Sequence, residues 1–480
     1  MTTTDNHTNG DGEQSIGMPT IGEQSLKASP AREQPAIAVD RGAVVLECLR
    51  ELPGGSELLD LAREHAGSVE LVGGAVRDIM LGRAPRELDV VVASDARAFA
   101  EALARRLENL AGESHEEERD EQISKECCEV IYHERFGTAL VRWSWGEIDI
   151  AMRRTETYSS PGVLPDVAPG TPEEDLARRD FTVNAIAVTL AGEHAGEVRA
   201  LAGALEDLSA GRLRVLHDAS FLDDPTRILR LVRYATRLGF EVEPHTASLV
   251  AAALEAGALS TVTASRLGAE LRLAFAESDP VAPLAELDRL GVFAAWEPGV
   301  SFDEHMVRTA FEILPEDGSR RLLLAGSLVL ELCDRLDEEE TEPTMRGFLH
   351  DLELPAREGD RAFGVAVSAS FAIDHIDDAD TTEDLLELVI GTPIESLALA
   401  AAVRDLEDGP RSYGRRLIDE WLTQRRHISL EVTGDDLVAA GVPEGPEVGV
   451  RLDESYKLLL EERIEPGRET ELRAALEARV

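Results

Sequence analysis

Short apolar runs and helical spacings alternate through the first part of this chain. From about Gly42, the side chains Val44, Val45, Cys48, Leu49 and Leu52 recur at helical intervals and predict an amphipathic helix. Pro53-Gly54-Gly55 breaks it, and helical spacing resumes at Leu58, Leu59 and Leu61. Val69–Val72 predicts a short strand, followed by Gly73-Gly74 and a helical stretch to Leu81. Leu88–Val92 predicts a second strand and Ala96–Leu107 a helix. Phe136–Trp143 and Glu147–Ala151 predict two strands joined by a tight turn at Ser144–Gly146. Residues 113–129 form an acidic run that suits an exposed loop or a solvated helix face. Residues 1–40 carry no apolar period and predict a disordered tail. From about residue 203 the spacing is almost all helical, with Ala, Leu, Arg and Glu dominating. Pro280, Pro283 and Pro298 mark candidate boundaries, and no repeat recurs at a fixed period. Strands mixed with helices, then helices alone, predict an α+β fold.

The length, 480 residues, suits about two to four domains. With 43% hydrophobic and 29% charged residues the composition is that of a globular chain. The charge changes the picture: 93 acids face 48 bases, a net charge of −45. Lysine occurs only at Lys27, Lys125 and Lys457, so nearly all the positive charge is arginine. Bulk attraction to nucleic acid or to an anionic membrane is excluded as a driving force. A polyanionic partner must be held by a local arginine cluster acting against the global field. No apolar run approaches about 18 residues, so no membrane partner is expected. The polar N-terminus shows no secretory signal. Cys48, Cys127, Cys128 and Cys333 make neither a metal pattern nor a disulfide framework, which suits a reducing cytoplasmic compartment.

Five segments carry candidate chemistry. In LVGGAVRD, a strand runs through Gly73-Gly74 into a helix whose free N–H groups and dipole favour a phosphate. Arg77 adds a guanidinium; the same turn is also a common structural device. In RELDVVV, Glu87 and Asp89 fall on one strand face, either as solvated acids or as ligands for Mg²⁺. Asp149 lies between Ile148 and Ile150 in GEIDIAMRRTETY. It either points to water from a half-exposed strand or completes a three-carboxylate site for two metal ions. In DLARRDFTVNAIA, a helix would put Asp180 and Asn184 on one face, with Arg178 and Arg179 at its entrance. In DDPTRILRLVRYATRLGF, Pro225 fits a helix first turn. Arg227, Arg230, Arg233 and Arg237 then fall within an arc of about 120°, opposite Ile228, Leu229, Leu231 and Val232. Asp224 and Arg227 together present an acceptor and donors to the edge of a nucleobase.

In this order the residues resemble the class II tRNA nucleotidyltransferases (CCA-adding enzymes) and bacterial poly(A) polymerases. The resemblance covers roughly residues 69–275. GGAVRD with ELDVVV resembles the family's first motif, and RRDFTVNAIA its second. DDPTRILRLVRYATRLGF resembles the nucleotide-selecting motif. TASRLGAELRLAF, with Ser265, Arg266 and Glu270, resembles the last neck motif. A weaker likeness lies at Thr433–Gly449. The resemblance implies a head at 41–215 with a small mixed sheet, a helical neck at 216–280, and a helical body and tail at 281–480 that bind tRNA. It implies template-independent transfer of C or A from CTP or ATP to a tRNA 3′ end, with Mg²⁺ and release of pyrophosphate. Gly73, Gly74 and Arg77 would hold the triphosphate, and Glu87, Asp89 and Asp149 the metal. Arg179, Asp180 and Asn184 would position the nucleotide. Asp224 and Arg227 would read the base, and Arg230 and Arg233 would bind the nucleotide. Arg266 and Glu270 would brace that pocket.

Two departures stand out. The first motif normally has two aspartates, and here the first is Glu87, whose extra methylene moves the carboxylate by roughly 1 Å. The segment after the second motif has Gly203-Ala204 in place of Gly-Gly, and its counterpart in the family helps switch between nucleotides. Addition of A alone, or a non-catalytic RNA-binding relative, stands beside complete CCA synthesis. A third reading, a metal-dependent phosphohydrolase, rests on His350-Asp351 and lacks further ligands at suitable spacing.

Overall fold

The computed structural model describes residues 40–65, 67–114, 128–134, 137–335, 338–376, 382–408 and 413–478. The predicted tail up to residue 39, Phe136 and most of the acidic run 113–129 lie outside these residues. Asp40 caps helix α1 (Arg41–Glu51), its carboxylate accepting from the amides of Gly42 and Ala43 at 3.1 and 3.3 Å. The buried stripe of α1 is narrower than its spacing predicts. Val45 and Leu49 are buried where α1 meets α2 (Gly55–Glu64) and α3 (Gly74–Met80), while Cys48 is exposed at the stripe's edge.

Strands β1 (Val69–Val72) and β2 (Leu88–Val92) form as predicted; helix α4 (Ala96–Ser114) runs longer. The predicted hairpin is β4 (Thr138–Trp143) and β5 (Gly146–Met152). Before it comes β3 (Cys128–His133), which the acidic run conceals in the sequence. A separate two-stranded sheet joins β6 (Arg154–Thr157) to β7 (Asp166–Pro169), and helix α5 (Pro172–Ala177) follows.

The segment read as one helix around Asp180 and Asn184 is not one. Helix α5 stops at Ala177, a single 3₁₀ turn spans Thr182–Asn184, and β8 (Ile186–Thr189) enters the sheet. All four residues of β8 are buried, which suits a strand covered on both faces and rich in β-branched side chains. With β9 (Val198–Ala200) the sheet has seven strands in the order β3-β4-β5-β2-β1-β8-β9. Its only parallel pair is β2–β5.

Helix α6 (Ala204–Ala210) leads to a pair of two-residue strands, β10 (Arg212–Leu213) and β11 (Glu241–Val242). Between these strands lie α7 (Ser220–Asp223) and α8 (Thr226–Leu238). Then come α9 (Pro244–Glu255) and α10 (Ala264–Phe275), and the regular elements among the described residues beyond are helical. The fold is α+β, a mixed sheet followed by helices. Among the described residues one cluster of buried side chains extends from Val45 to Ala402 and a second from Ala372 to Leu460, while two small ones join Val72, Val91, Leu176, Ala185 and Ala187 on the sheet, and Val432, Leu437, Val442 and Ala475. No helix among the described residues is long and apolar enough to cross a membrane. His350 is exposed near the end of helix Glu338–Asp351, with no metal-ligand cluster among the described residues to support a phosphohydrolase.

Candidate active site

The carboxylates are brought together by strand register. In the antiparallel pair β1–β2, Leu71 faces Val90, so Gly73 follows β1 at the edge where β2 begins. In the parallel pair β2–β5, Asp89 and Asp149 are direct partners. Ile148 and Ile150 are 0% exposed, so alternation turns Asp149 to the opposite face. Glu87 immediately precedes β2 and is exposed. None of the three makes a hydrogen bond or ion pair among the described residues. Burial, then the neighbouring Asp89 and Glu87 charges, push the Asp149 carboxyl up to about 6. Asp89 is raised as well, chiefly by burial, and Glu87 by partial desolvation of its carboxyl and then by the Asp89 and Glu147 charges.

The register sets Asp89 and Asp149 side by side, and Glu87 lies two residues before Asp89 in the chain. Among the described residues no three His, Cys, Asp or Glu side chains converge as a finished metal site. Asp89 and Asp149 form a pair, with Glu87 at the strand's mouth. Hard oxygen donors, mutual repulsion and adjacent backbone positions nevertheless fit a divalent cation.

The glycine turn beside this pair is tight. Gly73 has φ +69°, and a Cβ there would lie 2.6 Å from Arg179 Nη1. Gly73→Ala is therefore expected to cost about 1–2 kcal/mol of stability and at least about tenfold in activity. Equal melting curves and equal turnover would refute it. Arg179 also donates from Nη2 to Asp175 at 3.2 Å, and its charge is among those that restrain the rise at Asp89.

Arg77 is 1% exposed, and two of its nitrogens are already engaged. Its Nε donates to Asp78 at 2.8 Å and its Nη1 to Asn184 Oδ1 at 2.5 Å. It orients Asn184 while lining the cavity, with Nη2 outside these two hydrogen bonds. Asn184 Nδ2 in turn donates to Asp180 Oδ1 at 2.8 Å, so a 3₁₀ turn joins the pair that a helix was expected to join. Asp180 also accepts from the Phe181 amide at 2.8 Å and from Arg230 Nε and Nη2 at 3.0 and 2.6 Å. Burial alone would raise its carboxyl, but the Arg230 charge and these hydrogen bonds hold it well below the usual range. Glu270 accepts from Arg230 and Arg233, each at 3.1 Å. It therefore braces Arg230 and Arg233 on the arginine face of α8. That face is not solvated: Arg227 and Arg233 are buried.

At the other end, Arg227 donates to Ser220 Oγ at 2.7 Å and to the Arg178 carbonyl at 3.1 Å. Asp224 Oδ1 accepts from Thr226 Oγ1 at 2.7 Å and from Arg266 Nη2 at 2.8 Å. Arg266 is anchored in turn on the Gly162 carbonyl at 2.9 Å. Ser265 donates to Glu353, away from this pair. The second oxygen of Asp224 has no hydrogen-bond partner among the described residues.

A cavity of about 620 Å³ unites these groups. All the candidate residues line it except Gly73 and Asp149, which adjoin it through Arg179 and Asp89. Its lining carries nine arginines and seven acids, the reverse of the balance in the whole chain. Tyr158, Tyr234, Arg86 and Arg237 line it too. Of these only Arg237 was marked by its spacing. Tyr158 lies at the end of the RRTETY string, and burial pushes its hydroxyl up to about 12. Ala204 is 0% exposed as the first residue of α6, and only Gly203 before it has a positive φ, +84°. The missing second glycine is thus accommodated by the backbone. Asp207 further along α6 accepts from Thr182 Oγ1 at 2.9 Å, tying this segment to the second motif.

Residues 69–214 match the poly(A) polymerase head domain family. The chain is 30% identical over 394 residues to the A-adding tRNA nucleotidyltransferase of Geobacter sulfurreducens, covering 80% of this chain and 42% of that protein. It is 29% identical over 411 residues to the A-adding tRNA nucleotidyltransferase of Halalkalibacterium halodurans, covering 81% and 84%. It is 38% identical over 237 residues to the CC-adding tRNA nucleotidyltransferase of Deinococcus radiodurans, covering 49% and 57%. The chain thus spans less than half the length of the Geobacter relative. A solved apo structure of a CCA-adding enzyme aligns with a TM-score of 0.70 at 27% identity, covering 90% of this chain and 95% of that one. With its motifs in family order and its fold shared with a solved CCA-adding enzyme, the chain carries a poly(A) polymerase head domain at residues 69–214.

Proposed function

We propose that this chain is a template-independent nucleotidyltransferase that adds A or C to a tRNA 3′ end from ATP or CTP. The observation that carries the reading is the single cavity in which the strand-edge carboxylates meet an arginine-rich wall and the Asp224–Arg266 pair. The terminal 3′-hydroxyl would attack the α-phosphorus. One O–P bond forms, the bond to the bridging oxygen breaks, and pyrophosphate leaves. Arg179 and the helix start at Gly74 are placed to receive the triphosphate charge. Asp89 and Asp149, with Glu87, would hold Mg²⁺, which supplies charge neutralisation and a lowered hydroxyl pKa when bound. The hydroxyl proton passes to solvent at this open strand edge.

Base choice follows from Asp224. Arg266 fixes one carboxylate oxygen, which leaves the other as an acceptor. Adenine and cytosine both carry an exocyclic amino donor, whereas guanine and uracil present a carbonyl at the corresponding edge. Asp224→Asn is therefore expected to reduce the preference for ATP and CTP over GTP and UTP by at least about tenfold. Single-turnover incorporation of the four nucleotides measures this, and an unchanged ranking would count against the assignment.

Addition of A alone is the second reading. The Geobacter and Halalkalibacterium relatives carry the A-adding name, and the altered Gly203-Ala204 segment is consistent with restricted choice. The experiment uses purified chain, Mg²⁺ and tRNA transcripts ending before CCA, after C and after CC. CTP and ATP are given separately and together. Extension of the CC-ending transcript alone assigns A addition, and stepwise extension of all three assigns CCA. No extension on any transcript, with no gain from Glu87→Asp, overturns the reading.

A further inference from the structure

Four guanidinium groups surround one phenol ring in the wall of the cavity. The carbon centres of Arg77, Arg230, Arg233 and Arg237 lie 5.0, 5.6, 5.0 and 5.1 Å from the centroid of Tyr234, all within cation–π range. Three of these arginines share α8 with the ring, and Arg77 reaches it from α3. Tyr234 is 9% exposed. Phe181, directly after Asp180, meets it edge-on with centroids 5.9 Å apart and planes at 90°. Arg230 Nη2 also donates to the Tyr234 hydroxyl at 3.3 Å.

Four like charges around one point repel one another. Each has an acid to one side: Asp78 for Arg77, Asp180 for Arg230, Glu270 for Arg233 and Glu277 for Arg237. The negative face of the ring occupies the middle, where a carboxylate would need full desolvation. Without the ring, Arg77 and Arg230 keep their acid partners but lose the aromatic face that gathers them. Asn184 and Asp180 depend on those two arginines for their orientation.

We infer that Tyr234 is a positioning residue for nucleotide binding: its ring gathers four arginines and so holds the Arg77–Asn184–Asp180–Arg230 chain in place for the nucleotide. The inference rests on the function proposed above. The test is equilibrium binding of ATP and CTP, in the presence of Mg²⁺ and without tRNA, to the full chain. Tyr234→Leu should weaken binding at least about tenfold, and in turnover assays KM should rise more than kcat falls. Tyr234→Phe keeps the ring and should weaken binding by less than about threefold. Mono-, di- and trifluorophenylalanine at position 234 keep the shape while draining the face of negative charge. Affinity should then fall stepwise with fluorination, which a purely structural role does not produce.

A flat fluorination series overturns the inference even where Tyr234→Leu fails to fold. So does equal loss in the Phe and Leu variants, which would assign the effect to the hydroxyl. If the unaltered chain binds neither nucleotide, the proposed function fails instead. If it binds both and the Leu variant binds as well, only the role of Tyr234 fails.

Discussion

Asp149→Asn should lower nucleotide incorporation by at least about 100-fold and, in the presence of a chelator, stabilise the fold at neutral pH. The two effects share one cause. Asp149 sits beside Asp89 on the neighbouring strand, with no internal partner among the described residues, and its carboxyl is pushed up to about 6. An unfolded aspartate titrates near 3.9. The folded state therefore holds this proton more tightly than the unfolded state does. Its stabilising contribution is complete below about pH 4 and is lost as pH rises through about 6. A neutral amide escapes that loss. Allowing for solvent screening at this partly exposed site, the gain is about 1 kcal/mol at pH 7.5 and shrinks towards pH 5. Denaturant melts at those two pH values measure it. A variant no more stable than the parent at pH 7.5 would show that the strand-edge charges do not repel as the register implies.

The second large effect is expected at Asp180. Its carboxylate accepts four hydrogen bonds, two of them from Arg230. Asp180→Ala leaves the Asn184 amide without its acceptor and Arg230 with Glu270 as its remaining acid. Removing one partner of such a buried pair costs roughly 3–5 kcal/mol. Because the Asp180 carboxyl is held below its unfolded value, its contribution is present above about pH 4 and declines only in acid. The difference between parent and variant should thus stay level between about pH 6 and 8 in urea melts. A loss under about 1 kcal/mol would mean that the network relaxes around the gap. Nucleotide affinity should fall in parallel, since Asp180 and Asn184 line the cavity.

Much of the site was legible in the sequence because its motifs are local. Strands Val69–Val72 and Leu88–Val92 are short apolar runs bounded by glycine turns and charges, and they form as read. The arginine face of α8 follows from spacing alone. Other features depend on pairings that no local pattern encodes. That Asp149 stands beside Asp89 is a consequence of strand order, with 59 residues of chain between them. Arg77 was expected to grip phosphate, and it is also engaged by Asn184, 107 positions away. In the second motif Asp180 and Asn184 stand four apart, which fits one helix face, yet β-branched residues and burial on both faces place its end in the sheet. Tyr234 was hidden among arginines whose charge drew the attention. A usable signal was present: acids at Glu270 and Glu277 are spaced seven apart, as two turns of arginine on a facing helix require.

The division of the buried clusters has a consequence for motion. Side chains from Val45 to Ala402 form one continuous core, so the sheet and the helices that follow it should open together, as a single cooperative unit. The last helices close on a separate, much smaller core of Val432, Leu437, Val442 and Ala475. Amide protons there are set to exchange with solvent through local opening, while those of the strands that carry Asp89 and Asp149 wait for global unfolding. The C-terminal end can therefore breathe on its own timescale and leave the register of the carboxylates untouched.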